Sequence, residues 1–137
     1  KLGVGTIFNQ PRTVCVQDSL RTLKNNEMVF IPLDQNFGTG GIFVEFFHRQ
    51  AATATGPVTL SLRAKSKIVP MFIIRQPDNT HKVIIESALD IQEKSDYNQT
   101  VHFNISRLTQ IIESYIRRYP QQWGWIHRRW KTQPKEK

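Results

Sequence analysis

The spacing of apolar and polar residues divides the chain into short elements of helix and strand length. The clearest pattern is an apolar stripe at steps of three and four over residues 105–119, which predicts an amphipathic helix that Pro120 ends. We expect Asn104 to cap this helix. Two further helices are predicted over residues 11–24 and 56–64. The stripe consists of Ile105, Leu108, Ile112, Tyr115 and Tyr119.

Apolar runs of strand length lie between the predicted helices. Residues 28–33 form a continuous apolar run, which is typical of a parallel strand buried on both faces. A strand over 42–47, the helix over 56–64 and a strand over 68–74 form a βαβ unit, which predicts a parallel pair with a right-handed crossover. Residues 82–87 return as an antiparallel neighbour. The sequence therefore predicts an α/β domain with a mostly parallel central sheet flanked by helices and an antiparallel hairpin.

Length and charge narrow the class of protein. A chain of 137 residues makes one domain with a sizeable core. Its net charge of +8 is concentrated at one end, because residues 117–137 carry seven Lys and Arg against one acid. This local positive field indicates an anionic surface or ligand. The single cysteine, Cys15, excludes an internal disulfide, and no apolar run reaches the roughly 18 residues of a membrane span.

Residues 115–131, here called the aromatic-basic segment, carry the most distinctive composition. The segment holds all three tryptophans of the chain, four arginines, two tyrosines, a histidine and a lysine. Aromatic planes set between guanidinium groups suit an anionic partner with apolar surface, such as a phosphorylated lipid or single-stranded nucleic acid. A purely structural role is the other interpretation, in which the tryptophans close the core and the arginines face water.

Polar side chains follow two predicted strands at their carboxyl ends, where open α/β sheets bind ligands. One group is Asp34-Gln35-Asn36, and the other runs from His48 to Thr55. We expect Asp34 and the basic end of the aromatic-basic segment, at Arg128, to face one shared cleft. Taken alone, Asp34 fits a loop-capping role better than a role in a site, because aspartate is common in turns.

Several other kinds of site are not supported by the sequence. The four histidines and Cys15 have no metal-ligand spacing, no Gly-x-Ser-x-Gly motif is present, and no cofactor is predicted. His81 and Glu86 have a His-x-x-x-x-acid spacing, but the odd separation on a strand sends their side chains to opposite faces. We therefore expect no catalytic dyad from this pair.

The aromatic-basic segment also carries a family resemblance. Its sequence Tyr119-Pro-Gln-Gln-Trp-Gly-Trp-Ile-His-Arg-Arg-Trp-Lys131 closely resembles the C-terminal signature of the bacterial lipid A biosynthesis acyltransferases, the lauroyl and myristoyl transferases. Blocks at 23–35, 42–57 and 68–70 resemble further blocks of that family in the same order, and this order makes the resemblance specific. His48 stands where the family usually has glycine.

The resemblance implies transfer of a fatty acyl chain from acyl carrier protein to a hydroxyl of a phosphorylated, glucosamine-based lipid A precursor. It places this reaction at the cytoplasmic face of the bacterial inner membrane. The family's His-x-x-x-x-Asp/Glu dyad and its membrane anchor precede these blocks, so we expect both upstream of Lys1. Residues 1–137 are then the C-terminal half of a single acyltransferase domain, with 131–137 as a polar tail, and are inactive alone.

The resemblance also suggests roles for individual residues. Asp34 and Gln35 are expected to line the site. Arg49, Thr53 and Thr55 are candidates for contact with sugar or phosphate. The candidates for an acidic headgroup or acyl carrier protein are Arg128, Arg129 and Lys131, and those for the lipid interface are Trp123, Trp125 and Trp130. The alternative is a nucleic-acid-binding module built on the same segment, although its aromatic residues lie in one stretch and not across a sheet face.

Overall fold

One long helix, α3 (Tyr97–Arg118), lies at the centre of the packing. The computed structural model describes residues 3–135. The other elements, in chain order, are α1 (Arg12–Lys24), a 3₁₀ turn (Gly38–Gly40), β1 (Ile42–Phe46), β2 (Arg49–Thr53), α2 (Gly56–Ala64), β3 (Met71–Arg75), β4 (His81–Ile85) and a 3₁₀ turn (Pro120–Gln122). The predicted helices over 11–24 and 56–64 are confirmed by α1 and α2.

The long helix begins earlier than its apolar stripe indicates. Asp96 is the N-cap, and its side chain accepts a hydrogen bond of 2.8 Å from the Gln99 N–H. The prediction of Asn104 as the cap is wrong, because this residue is fully buried inside α3. Its side-chain amide donates to the Gln92 carbonyl at 2.8 Å and accepts from the Gln92 N–H at 3.0 Å. Asn104 therefore ties the helix to the segment before it.

The apolar stripe of α3 forms the core, as predicted. Ile105, Leu108 and Tyr115 are buried, and Val101 extends the stripe toward the helix start. Residues from β1, α2 and the segment after β4 pack against this stripe in the main cluster, which contains Val44, Val58, Leu89, Val101, Ile105 and Leu108. Burial of an amphipathic face in this way supplies most of the stability of a helix in a folded domain.

The strands form two separate antiparallel hairpins. β1 pairs with β2 from Ile42↔Thr53 to Phe46↔Arg49, and β3 pairs with β4 from Met71↔Ile85 to Arg75↔His81. Within residues 3–135 no parallel pair occurs, so the predicted parallel central sheet and βαβ unit are wrong. The α/β class and the hairpin at β3–β4 are confirmed.

The error over the sheet has a local cause at residues 47–53. Phe47 and His48 both have positive φ, 52° and 57°, and make the two-residue turn that reverses the chain. The small residues that follow, Ala51, Ala52 and Thr53, are a buried strand and not the loop that their composition predicts. The backbone at Gly41 lies close to the end of β2, because a Cβ on Gly41 would lie 2.7 Å from the Thr53 carbonyl oxygen.

One predicted strand is absent from the described part of the chain. Residues 28–33 form no strand. Met28 is 96% exposed and Phe30 is 74% exposed, so the expected burial of this run is wrong. A buried strand needs a neighbour for its backbone groups, and no described strand lies beside this run. Over residues 3–135, no helix combines the length and apolar character needed to cross a membrane.

Candidate functional site

The aromatic-basic segment is anchored to β2 by one buried arginine. Arg129 is 1% exposed; its Nη1 donates to the Ala52 carbonyl at 2.6 Å and its Nη2 donates to Thr53 Oγ1 at 2.5 Å. Its guanidinium lies 5.2 Å from the centre of the Phe46 ring. Burial lowers the pKa of Arg129 to about 10, while the charge of Asp34 acts in the opposite direction. The side chain therefore stays charged at neutral pH and binds the strand through its planar fork.

Two of the three tryptophans pack against β1 and the loop before it. Trp123 Nε1 donates to Asp34 Oδ2 at 3.2 Å, and Trp130 Nε1 donates to the Phe46 carbonyl at 3.2 Å. The Trp123 ring meets the Phe46 ring edge-on at 5.7 Å, and the Trp130 ring stacks on it at 5.6 Å. Both indoles thus bury apolar area and pair their N–H groups.

The loop after residue 33 is joined to the same segment by further hydrogen bonds. The Asn36 N–H donates to His127 Nε2 at 2.9 Å, and Asn36 Nδ2 donates to Thr132 Oγ1 at 3.1 Å. The structure therefore brings Asp34, Thr53 and Arg129 together around the segment, although they are far apart in the sequence. For Trp123, Trp130 and Arg129, these contacts are the structural role that the sequence left open.

Several side chains between residues 125 and 131 face outward. Arg128 and Lys131 are exposed, Trp125 is 54% exposed and Ile126 is 98% exposed. Trp125 Nε1 donates to the Pro120 carbonyl at 2.6 Å, which holds its ring in place. Residues 125–131 thus present two cations and two apolar side chains on a firmly held backbone. The buried and exposed members of the segment alternate over a few residues.

The other predicted site residues are more scattered. Arg49 is exposed, with its guanidinium 5.2 Å from the centre of the Trp130 ring. Gln35 is exposed. Thr55 lies at the start of α2 and lines a hollow of about 470 Å³ with Ile42 and Val101. The roles assigned to these residues stay predictions.

A second hollow of about 480 Å³ lies between β1 and α3, where the sequence predicted no site. Its lining includes Glu45, Gln50, His102, Glu113 and Arg117. Glu113 accepts from the Phe47 N–H at 2.7 Å and from Arg117 Nη2 at 2.6 Å. Burial alone would raise the pKa of Glu113, but these hydrogen bonds and the charge of Arg117 bring it below its ordinary value. In the sequence, the spacing of four between Glu113 and Arg117 could have indicated this ion pair on one face of the helix.

Neither hollow is lined by Asp34 or Arg128. The shared cleft between these two residues therefore stays a prediction. What joins the Asp34 loop to the aromatic-basic segment is direct packing through Trp123.

His81 and Glu86 lie in different surroundings. His81 is exposed at the turn end of β4, opposite Arg75. Glu86 accepts a hydrogen bond from the Tyr115 hydroxyl, and this bond raises the pKa of Tyr115. The two side chains do not form a catalytic dyad.

Comparison with known proteins identifies the family. Residues 10–132 match the family described as bacterial lipid A biosynthesis acyltransferase. The chain is 30% identical over 117 residues to the lipid A biosynthesis lauroyltransferase of Escherichia coli (strain K12), covering 84% of this chain and 37% of that protein. It is 32% identical over 115 residues to the palmitoleoyltransferase of the same organism, covering 82% and 36%.

A third relative is the lipid A biosynthesis acyltransferase of Haemophilus influenzae, 29% identical over 122 residues, which cover 86% of this chain and 38% of that protein. The chain thus spans little more than a third of the length of these relatives. The family match covers nearly all of the chain, including the Asp34 loop, both hairpins and the whole aromatic-basic segment. This chain belongs to the bacterial lipid A biosynthesis acyltransferase family.

Proposed function

We propose that this chain is the C-terminal part of an enzyme that transfers a fatty acyl chain from acyl carrier protein to a hydroxyl of a lipid A precursor. The family assignment supports the acyltransferase role in lipid A biosynthesis. The donor, the acceptor hydroxyl and a location at the cytoplasmic face of the inner membrane belong to the proposal.

The observation that carries the proposal for this part of the enzyme is the division of the aromatic-basic segment. Arg129, Trp123 and Trp130 hold the backbone against β1, β2 and the Asp34 loop. On that support, Arg128 and Lys131 are exposed close to Trp125 and Ile126. Cations next to apolar side chains suit the surface of a phosphorylated lipid, because the charges pair with phosphate and the apolar groups enter the interface.

The proton-transfer step is assigned to residues other than those of this chain. An acceptor hydroxyl needs a general base within hydrogen-bond reach. His81 and Glu86 cannot supply a paired base, because His81 is exposed at a hairpin end and Glu86 is bound to Tyr115. We therefore expect residues 1–137 alone to give no acyl transfer when supplied with acyl-acyl carrier protein and a lipid A precursor. Transfer by the purified chain would contradict this assignment.

Binding to lipid can be tested on the chain itself with vesicles of phosphatidylglycerol. The double variant Arg128→Ala/Lys131→Ala is expected to bind about 30-fold more weakly, since each cation near an anionic surface contributes about 1 kcal/mol. The matched control is Lys24→Ala/Arg63→Ala, which removes the same charge from exposed positions on α1 and α2. The control is expected to keep most of the affinity.

The outcomes separate the two classes of function. Equal losses in both double variants mean that binding follows net charge and not the aromatic-basic segment. Single-stranded DNA is the comparison ligand for the nucleic-acid alternative. Steeply salt-dependent DNA binding without vesicle binding overturns the lipid proposal. The packing of Trp123 and Trp130 leaves only Trp125 as an exposed indole for base stacking, which disfavours that alternative.

A further inference from the structure

We propose that the outer face of the β3–β4 hairpin is an internal interface of the acyltransferase, covered by another part of the same enzyme. The occupant is the part of a lipid A acyltransferase that lies beyond the stretch matched by this chain. This inference rests on family membership and not on the proposed donor, acceptor or lipid contact.

The outer face consists of four apolar side chains in two cross-strand pairs. Met71 lies opposite Ile85, and Ile73 lies opposite Val83. Their exposed fractions are 42%, 69%, 59% and 53%, respectively. Cross-strand pairs on one face of a hairpin lie side by side, so these four residues form one continuous apolar patch.

The other face of the hairpin is already packed. Ile74 is buried, and the Phe72 ring stacks on the Tyr115 ring of α3 with centroids 3.6 Å apart. The Tyr115 hydroxyl also donates to Glu86, just beyond β4. The hairpin is therefore fixed on α3 and presents its outer face as a defined surface.

The composition of these strands indicates what kind of environment the outer face is made for. Residues 71–74 and 83–85 are apolar at every position. Strands with one face in water alternate between apolar and polar residues, whereas continuous apolar runs are typical of strands buried on both faces. The outer face thus has the composition of a packed core, and only a second apolar layer is missing.

A protein layer fits this face better than a membrane. Protein surfaces at lipid interfaces are enriched in Trp and Tyr, and the outer face carries neither residue. The aromatic and cationic side chains are instead gathered in the aromatic-basic segment. Met and β-branched residues in cross-strand register are what a sheet offers to an opposing layer of protein.

The unmatched length of the relatives indicates which polypeptide covers the outer face. The chain spans 37% of the Escherichia coli lauroyltransferase and 38% of the Haemophilus influenzae acyltransferase, so most of each relative lies outside the match. The run over residues 28–33 also supports cover by a further part of the enzyme, because Met28 and Phe30 are exposed although the run is apolar throughout. A second copy of this chain could cover one face, but it would not explain the unmatched length.

The test uses the unmatched part of the Escherichia coli lauroyltransferase, co-expressed with this chain and also fused to it as one polypeptide. The chain carries Cys15→Ser and Ile73→Cys, and maleimide labelling reports the exposure of the introduced thiol. We expect labelling to be at least about tenfold slower with the added polypeptide than in the chain alone. The matched control is Ile126→Cys, at a position that is 98% exposed, whose labelling rate is expected to be unchanged.

A second variant tests the apolar character of the contact. Ile73→Asp places a charge on the outer face, and it is expected to weaken capture of the added polypeptide at least about tenfold. Ile126→Asp makes the same change on the aromatic-basic segment and is expected to leave capture intact. Thermal unfolding of both variants without partner verifies that the chain itself still folds.

Each other outcome overturns the proposal. Fast labelling at position 73 in both the co-expressed and the fused form means that the added polypeptide does not cover this face. Labelling that slows as the concentration of the chain alone rises assigns the face to a second copy, and labelling that slows with phosphatidylglycerol vesicles assigns it to lipid. Vesicle binding through Arg128 and Lys131 is measured separately with Ile73→Asp, so failure here is distinguishable from failure of the proposed function.

Discussion

The two hairpins of this molecule have the same size and pairing but opposite surroundings. Each has two five-residue antiparallel strands. In β1–β2, the side chains of Val44, Phe46 and Ala52 are 1% exposed or less. In β3–β4, Ile73 and Ile85 are 59% and 69% exposed. Apolar character alone therefore does not decide burial, because a strand face is buried only where another element covers it.

The cover of the first hairpin comes from distant parts of the chain. Arg129 reaches the Ala52 carbonyl across 77 positions, and Trp130 reaches the Phe46 carbonyl across 84. Glu113 of α3 accepts from the Phe47 N–H in the turn. The second hairpin is covered on one face by Tyr115, and Gln122 hydrogen-bonds the Arg75 backbone at the end of β3. The difference between the hairpins is thus a difference in long-range contacts.

The largest difference between the hairpins is expected when one side chain is truncated in each. Phe46→Ala is expected to lower the free energy of unfolding by about 4 kcal/mol, since it opens a cavity beneath Trp123 and Trp130. Ile73→Ala on the open face is expected to cost less than about 0.5 kcal/mol. Urea unfolding followed by tryptophan fluorescence measures both. Similar losses would mean that the outer face of β3–β4 is covered in solution.

A smaller effect is expected from the buried arginine. Arg129→Ala removes two hydrogen bonds from a charged donor and leaves the Thr53 hydroxyl and the Ala52 carbonyl without it, so we expect a loss of about 3 kcal/mol. Arg128→Ala, the exposed neighbour, is expected to stay within about 0.5 kcal/mol of the parent chain. Equal stability of the two variants would show that the anchor of the first hairpin lies elsewhere.

The smallest expected effect tests the contact between α3 and the turn of the first hairpin through pH. The pKa of Glu113 lies below its ordinary value of 4.5, so its ionised form stabilises the fold above that value and this contribution disappears as pH falls through the folded pKa. Glu113→Gln is expected to be about 1 kcal/mol less stable near neutral pH. The gap should close in acid, below the folded pKa. A gap that stays constant between the two conditions would contradict an ionic contribution.

Much of the secondary structure could be predicted from local patterns. The helices α1 and α2, the strands β1, β3 and β4 and the core stripe of α3 follow from periodicity and from proline positions. The start of α3 was missed, because Asn104 has the chemistry of a cap while its side chain is needed for a buried contact with Gln92. β2 was missed, because Ala51 and Thr53 have a loop-like composition.

The family assignment also came from the sequence, through the aromatic-basic segment and the blocks before it, and the comparisons confirm it. Of the candidate site residues, Asp34, Thr53 and Arg129 are brought together by the structure, but as packing partners of the segment. Their part in binding substrate stays a prediction. No local pattern distinguishes Arg129 from Arg128, because adjacent residues of the same type differ only in the direction in which the backbone points them.

Local sequence patterns were enough to predict most of the helices and strands, the family and where the positive charge is concentrated. These properties depend on residues close together in the chain. The three-dimensional fold was needed to show that β1 pairs with β2, that one arginine of a pair is buried, and that the β3–β4 hairpin keeps an open apolar face. The last two depend on which distant element comes to cover a surface, and such contacts are set by packing of the whole chain.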